Sequence, residues 1–305
     1  MINSVEEYLA ELKRELTGSD RATIQDALSD AEEYLRTAIS NAPSGTNPAE
    51  ALTVAIGKYG TPSEVAAAYR QIESHTPPAL GPRAPAEIPT HPTAPTAAKD
   101  TRPWLLRFFG VFAEPRAWGS FLYLLLAMIT GIIYFTWVVT GISVSGGLLI
   151  LIVGLPIAAL FLLSVKGIAL AEGRLVEALL GVRMPRRPRF SGKTGVWQGF
   201  KNLVTDRHTW FSMVYMLLQM PLGVAYFSVF VTLVSVALGL IVWPIVAIAT
   251  GLPFFVTTAH EYYATGLLIP VGIIAGGLLL TVTMHLAKLA GRGHGALAKA
   301  MLVRL

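Results

Sequence analysis

Three strings in this 305-residue chain carry the residue types of a chemical site, and each lacks a partner that the chemistry needs. Ser191-Gly192-Lys193-Thr194 has the lysine and hydroxyl of a phosphate-cradling loop. Such a loop also needs a glycine five residues earlier, after a strand, so that backbone amides can wrap the phosphates. That position is Arg187. His260-Glu261-Tyr262-Tyr263-Ala264 begins like a zinc-peptidase helix, but the second imidazole of the metal pair would fall at Ala264. Gly291, Gly293 and Gly295 have no strand before them and open no helix, as a dinucleotide site requires. The six histidines (75, 91, 208, 260, 285, 294) show no metal-ligand spacing, and the absence of cysteine excludes thiolate catalysis, disulfides and cysteine metal sites. No nucleophile–base or metal constellation emerges. The expectation is a non-enzymatic protein with no catalytic residues, no cofactor and no metal.

The remaining candidates are suited to recognition. Trp243, His260, Glu261, Tyr262 and Tyr263 form an aromatic and ionisable group at the end of an apolar stretch, a candidate outer-face sensing segment. Arg183, Arg186, Arg187 and Arg189 fall in the most basic stretch of the chain, between apolar runs, and are candidate lipid-headgroup contacts. Trp118, Tyr123 and Tyr134 read as belt and packing residues of a membrane helix, or as the walls of a lipid or amphiphile pocket. His285, near the inner end of an apolar run, reads as a packing residue; ionisable groups at such positions are otherwise functional candidates.

The elements that must position these groups are membrane spans. Mean hydropathy is +0.55, and residues 117–165, 208–260 and 262–287 contain no Asp, Glu, Lys or Arg. A span needs about 20 apolar residues, so the first two runs are each too long for one helix. An internal repeat then constrains the topology. Residues 118–148 recur 92 positions later with 15 identities in 31 positions and no gap. Trp118, Ser120, Tyr123, Gly131 and Tyr134-Phe135 reappear as Trp210, Ser212, Tyr215, Gly223 and Tyr226-Phe227. Shared leucines could arise by composition alone, whereas this mixed set in one register marks a tandem duplication.

Spans are expected at about 119–141, 146–166, 211–234 and 266–287. The repeat also matches at its end, where Ala178-Leu179-Leu180 resembles Ala300-Met301-Leu302. The second copy therefore holds an insert of about 30 residues within 237–265. A helix broken at Pro244 and Pro253, lying in or dipping into the outer leaflet, is expected there, because backbone in lipid must satisfy its own polar groups. Gly272 and Gly276 make one GxxxG, a spacing that permits close helix packing. The basic stretch between spans and the basic tail place both on the cytoplasmic side of a bacterial membrane. An even number of spans follows, with N- and C-termini cytoplasmic.

Residues 1–75 carry 12 acidic against 6 basic residues, the remainder 7 against 18. The overall basicity therefore points to membrane lipids and not to nucleic acid. The first 75 residues read as a small helical unit, not a signal peptide. Ser4 and Glu7 are spaced as a capping box, and Asn47-Pro48-Ala49-Glu50 and Thr61-Pro62-Ser63-Glu64 are helix starts. Its inner faces are expected to include Tyr8, Leu12, Leu16, Leu35, Leu52 and Ile72. Residues 76–100, with seven prolines, read as an extended linker. The fold class is all-α: a helical domain at 1–75, a Pro-rich linker at 76–100 and a polytopic membrane domain at 101–305. That last part holds two-span repeats at about 104–182 and 197–303, four spans in all, with an apolar outer-face insert.

Two family patterns fit this layout. Tyr8-Leu9-x-x-Leu12 and Gly57-x-x-Gly60-Thr61-Pro62-x-Glu64-x-Ala66 resemble the HAAS signalling domain. Three strings resemble the "putative sensor" membrane domain found at the N-termini of many actinobacterial histidine kinases. They are Gly154-Leu155-Pro156, Leu170-Ala171-x-x-x-Arg174-Leu175-x-x-Ala178-Leu179-Leu180-Gly181, and Val231-Thr232-Leu233-x-Ser235-x-Ala237-Leu238-Gly239-Leu240. In that family a Glu-Arg pair is adjacent in the helix after the span; here Gly173 separates Glu172 from Arg174. The resemblance implies sensing and signalling. The expected partners are membrane lipids and a protein (a regulator, kinase or transporter) bound through residues 1–75, with homo-oligomerisation left open. The alternative is a transporter or permease-like component that moves or binds a lipid or amphiphilic solute.

Overall fold

The computed structural model describes residues 2, 4–43, 47–75, 108–148, 154–185, 201, 203–263 and 266–303. The expected linker and the residues Arg186, Arg187 and Arg189 lie outside the described residues. The described chain is almost wholly helical, with one two-stranded sheet.

Four helices come first: α1 (Val5–Glu15), α2 (Arg21–Ser40), α3 (Pro48–Tyr59) and α4 (Pro62–His75). Their starts follow the cap residues. Ser4 Oγ accepts from the Glu7 amide at 3.1 Å, Asp20 Oδ1 from Ala22 at 2.8 Å and Asn47 Oδ1 from Ala49 at 3.1 Å. At α4 the exchange is reciprocal. The Thr61 amide donates to Glu64 Oε2 at 2.8 Å, and the Glu64 amide donates to Thr61 Oγ1 at 3.4 Å. Such caps satisfy amides that the first turn leaves unpaired. The core packs Tyr8, Leu12, Leu16, Leu35, Leu52 and Ala66 together, all almost fully buried. Each large side chain there contributes about 1.5–3 kcal/mol relative to exposure. Gly60 joins α3 to α4 at φ 111°, a conformation open to glycine at little cost. Its carbonyl accepts the Tyr8 hydroxyl at 2.8 Å, which ties the first helix to that turn. Ile72, expected inside, is exposed.

Four long apolar helices follow: α5 (Pro115–Leu148), α6 (Gly154–Leu180), α7 (Arg207–Thr250) and α8 (Leu268–Leu302). Each is long and apolar enough to cross a bilayer, and the protein is a multi-pass membrane protein. Every one is longer than its expected span. At 1.5 Å per residue even the 27-residue α6 is about 40 Å long, beyond the ~30 Å hydrocarbon core. In α6 and α8 the apolar run ends before the helix does, because the residues after the span keep helical propensity while gaining polar groups.

The chain packs as two compact units. One comprises Met1–Arg83, Thr136–Met216 and Gly295–Leu305; the other comprises Ala84–Phe135 and Leu217–His294.

The duplication holds at the level of single contacts. Trp118 Nε1 donates to the Phe112 carbonyl at 2.9 Å, and Trp210 Nε1 donates to the Val204 carbonyl, also at 2.9 Å. Each indole thus folds back over the same six residues, with 52% and 51% exposure. Within the second unit, α5 and α7 cross where the repeated glycines lie. A Cβ on Gly131 would sit 2.7 Å from the Gln219 carbonyl oxygen, and one on Gly223 would sit 2.2 Å from that of Ala127. Each glycine therefore meets the backbone four residues before the other, so the crossing is its own mirror under the repeat.

The insert corrects an expectation. α7 does not break at Pro244 but runs through Pro221 and Pro244 to Thr250. Proline removes the bond to the carbonyl four residues back, here Leu240. In the same unit, Gly272 of α8 brings its backbone against that carbonyl, where a Cβ would lie 2.3 Å from the oxygen. Gly276 does the same at the Ala237 carbonyl, with a distance of 2.5 Å. The GxxxG is thus a backbone-to-backbone contact beside a proline-freed carbonyl. After the helix the chain forms an antiparallel hairpin, β1 (Pro253–Val256) with β2 (Glu261–Tyr263), and not a second helical piece. Gly251, at φ 70°, makes the turn out of α7. The hairpin closes where Thr257 and His260 exchange bonds: the Thr257 amide donates to the His260 carbonyl at 2.9 Å, and the His260 amide donates to Thr257 Oγ1 at 3.1 Å.

Candidate functional site

Two buried polar residues of the second unit, Gln219 and His294, meet at Tyr123. This phenol is fully buried on α5 and lies 2.8 Å from Nε2 of His294, itself 1% exposed on α8. Gln219 of α7 donates through Nε2 to the same phenol at 3.2 Å, and to Thr130 Oγ1 at 3.5 Å. Tyr226 sets its ring edge-on to His294 with centroids 5.7 Å apart. Three helices are joined by one buried network. Such groups are costly to bury unless bonded, so the network specifies one packing arrangement.

The first unit holds the counterpart. Tyr215, the repeat of Tyr123, donates its hydroxyl to Glu172 Oε1 at 3.0 Å, and Glu172 is 1% exposed on α6. The offset of 122 that relates Ala178-Leu179-Leu180 to Ala300-Met301-Leu302 also relates Glu172 to His294 and Gly173 to Gly295. Each copy therefore joins the phenol of its first span to an ionisable residue carried by the other copy's second helix. One is a carboxylate and one an imidazole. Sequence reading placed Tyr123 among packing residues and left Glu172 and His294 unassigned. Extending the 122 offset would have found the pair.

At the start of α7, still within the first unit, Asp206 caps the helix. Its Oδ1 accepts from the His208 amide at 3.2 Å and its Oδ2 accepts from Lys166 at 3.1 Å. A cleft of about 110 Å³ lies beside this pair, lined by Lys166, Gly173, Met184, Asp206, His208 and, from α2, Gln25. The N-terminal domain also reaches α8 directly: Lys299 donates to Asp20 Oδ2. Both side chains are about one-quarter exposed. Asp20 is the cap of α2, so the ion pair grips a helix start and not a flexible tip.

The N-terminal domain has a groove of its own, about 740 Å³, lined by Asp30, Glu33, Tyr34, Asn41, Tyr59 and Tyr69. Tyr34 and Tyr59 stack at 4.7 Å, and Tyr69 donates to Asp30 Oδ2 at 2.5 Å. Burial, then the bond to Asp30, pushes the Tyr69 phenol far above its ordinary value. Burial does the same to Tyr8, with Tyr59 and Glu64 adding to it.

The residues expected at the outer face fall in two places. Trp243 is exposed on α7, and His260, Glu261, Tyr262 and Tyr263 are exposed on the hairpin. Tyr263 donates to Glu261 Oε2 at 2.9 Å, and the His260 and Tyr262 rings stand 6.5 Å apart. Arg183 is half-buried just after α6. His285 packs as expected, stacked on Phe108 with its Nε2 3.0 Å from the Phe108 carbonyl oxygen. Among the described residues no group of three or more His, Asp or Glu could hold a metal ion.

Residues 123–302 match the family model described as "Putative sensor", and residues 7–68 match the HAAS model. No curated protein matches the chain. No solved structure matches it.

Proposed function

Because the chain belongs to the sensor family that residues 123–302 match, and HAAS precedes it, we propose that it is a non-enzymatic sensor that couples a membrane or envelope signal to a protein partner through its N-terminal domain. The membrane domain detects the signal, and the HAAS domain, on the cytoplasmic side of a bacterial cytoplasmic membrane, passes it on. The observation that carries this reading is the Lys299–Asp20 ion pair. α8 holds the buried His294 and, fewer than two turns later, the lysine that grips α2. A shift of α8 in the membrane therefore acts on the HAAS domain without an intervening loop. The acidic, aromatic groove of Asp30, Glu33, Tyr34 and Tyr59 suits a partner segment that is basic and partly apolar. A signal moves such a system only by its differential affinity for two arrangements of the bundle.

The test is to delete residues 1–75 in the native host and compare captured partners and transcription with the full chain. Loss of a stoichiometric regulator, kinase or transporter together with a changed transcript profile supports the reading. An unchanged partner set and profile overturns it. The transport reading has one specific observation in its favour, the buried Glu172 bonded to Tyr215, a kind of group that proton-coupled carriers use. Vectorial flux of an amphiphilic solute in proteoliposomes, abolished by Glu172→Gln, would establish it.

A further inference from the structure

The two copies of the repeat differ in one respect that points to a ligand. In the second copy α7 and α8 touch backbone to backbone at Ala237–Gly276 and Leu240–Gly272. In the first copy the residue equivalent to Ala237 is Ser145, and α5 and α6 do not close in the same way. The Phe161 ring of α6 is wedged against Gly141 of α5, where a Cβ would lie 2.1 Å from it. Beside that wedge is a cleft of about 400 Å³, lined by Trp137, Val144, Ser145, Ile157, Leu160 and Phe161 among others. All of these residues belong to the first unit.

The cleft is mostly apolar, and its hydroxyls are those of Thr140, Ser145 and Ser164. Ser145 is 7% exposed, and its Oγ has no hydrogen-bond partner among the described residues. Ser164, which lines the same cleft, bonds back to the Phe161 carbonyl at 2.7 Å. An unsatisfied hydroxyl in an apolar surrounding is costly. The cleft thus presents a donor that lacks an acceptor.

Depth and shape identify the acceptor. Trp118 and Ser145 lie 27 residues apart on one helix, about 40 Å. That matches the ~40–45 Å thickness of a bilayer with both of its polar interfacial regions. With the indole at one interface, Ser145 stands at the other, where glycerol ester carbonyls lie. From Ser145 the cleft runs about 12 Å along α5 to Trp137, into the hydrocarbon. Trp137, Val144 and Leu160 are exposed on helices that cross the bilayer, so the cleft opens to lipid.

We propose that the α5–α6 cleft is a binding site for one acyl chain of a bilayer glycerolipid, with the Ser145 hydroxyl donating to its ester carbonyl. The proposal deepens the sensor reading by naming a ligand class, and it rests on that reading only for its signalling role.

The test uses the full chain in detergent micelles, titrated with a phosphatidylglycerol that carries a photoreactive diazirine in one acyl chain. Labelled peptides are mapped by mass spectrometry. Saturable labelling is expected in 137–145 and 157–164, with only unsaturable labelling in the repeat-equivalent 229–237. Ser145→Ala removes one hydroxyl with little risk to folding and is expected to weaken saturable labelling about fivefold, the worth of one hydrogen bond. An ether-linked probe, which lacks the carbonyl, should bind the unaltered chain equally weakly and show no further loss with Ser145→Ala. Unsaturable labelling that is equal in both copies would overturn the proposal, as would an ether probe bound as well as the ester. The labelling is read on the protein alone. It fails or succeeds independently of partner capture through residues 1–75.

Discussion

Tyr123 and Tyr215, 92 residues apart, are the same residue of a duplicated span, and each buries its hydroxyl against an ionisable group on the other copy's second helix. Tyr123 meets His294 and Tyr215 meets Glu172. Duplication preserved the joint while the partner diverged in charge. A bundle built in this way has two joints that a ligand could favour unequally.

The Tyr215 joint should be the more costly to break. Tyr215→Phe removes the phenolic donor from a buried carboxylate, expected to cost about 1–3 kcal/mol. Glu172→Gln in the Tyr215→Phe background should recover part of this, because a neutral amide is cheaper to bury. Thermal unfolding of the detergent-solubilised chain, followed by monodisperse fraction on size exclusion, measures both. Equal midpoints for the unaltered and Tyr215→Phe chains would contradict the account.

The glycine crossing should fail from either side. Gly131→Ala and Gly223→Ala each drive a methyl into backbone, which cannot rotate away. Overpacking of this kind costs about 1–3 kcal/mol. The two glycines share one contact, so the double variant should lose less than the sum of the single losses. Additive losses would mean that the two helices do not meet there.

Alkaline pH should loosen the N-terminal domain before it affects the spans. Tyr8 and Tyr69 have phenol values raised in the fold, chiefly by burial. Their contribution is complete below the unfolded phenol value of about 10 and is lost as pH rises through the folded value. At the acid end Glu64 acts in the opposite sense. Its bond from the Thr61 amide lowers its value, so the α4 cap persists until pH falls through that lowered value. Hydrogen exchange of the full chain should show α1 and α4 deprotecting above pH about 10, less so in Tyr69→Phe.

Changes at Lys299 should separate grip from packing at α2, because they leave the Asp20 cap in place. Lys299→Ala should release α2, and Lys299→Arg should keep its protection. The pair is partly exposed, so the effect on overall stability should stay within about 1 kcal/mol and fade with salt. Equal protection of α2 in the unaltered, Lys299→Ala and Lys299→Arg chains would show that the ion pair has no role.

Much of this was legible in the chain. Trp118, Tyr123 and Gly131 recur in register because the contacts they make recur, and the four spans follow from the charge-free runs. Ser4, Asn47 and Thr61 announced helix starts through chemistry local to one turn. Three features were not legible, each for a physical reason. Pro244 reads as a helix break in isolation, but Gly272 from a distant segment meets the carbonyl it frees. The run Pro253–Val256 is short and apolar, and periodicity cannot tell a strand from a helix at that length. Glu172 and His294 look unrelated until the insert is counted and the offset changes from 92 to 122. Of the expected outer-face group, Trp243 sits on a helix and the other four residues on a hairpin, a division that alternating aromatics do not reveal.

The most direct measurement asks whether the membrane joints and the HAAS domain communicate. The chain has no cysteine, so Gln25→Cys with Leu302→Cys, which line one cleft and leave the Asp20–Lys299 pair intact, supplies a single pair for a bifunctional thiol cross-linker in native membrane vesicles. Its cross-linking yield should fall severalfold when Tyr123→Phe or Tyr215→Phe loosens the bundle, while a control change at the exposed Tyr262 leaves it unaltered. Identical yields in all of these backgrounds would show that α8 does not carry the signal to the N-terminal domain.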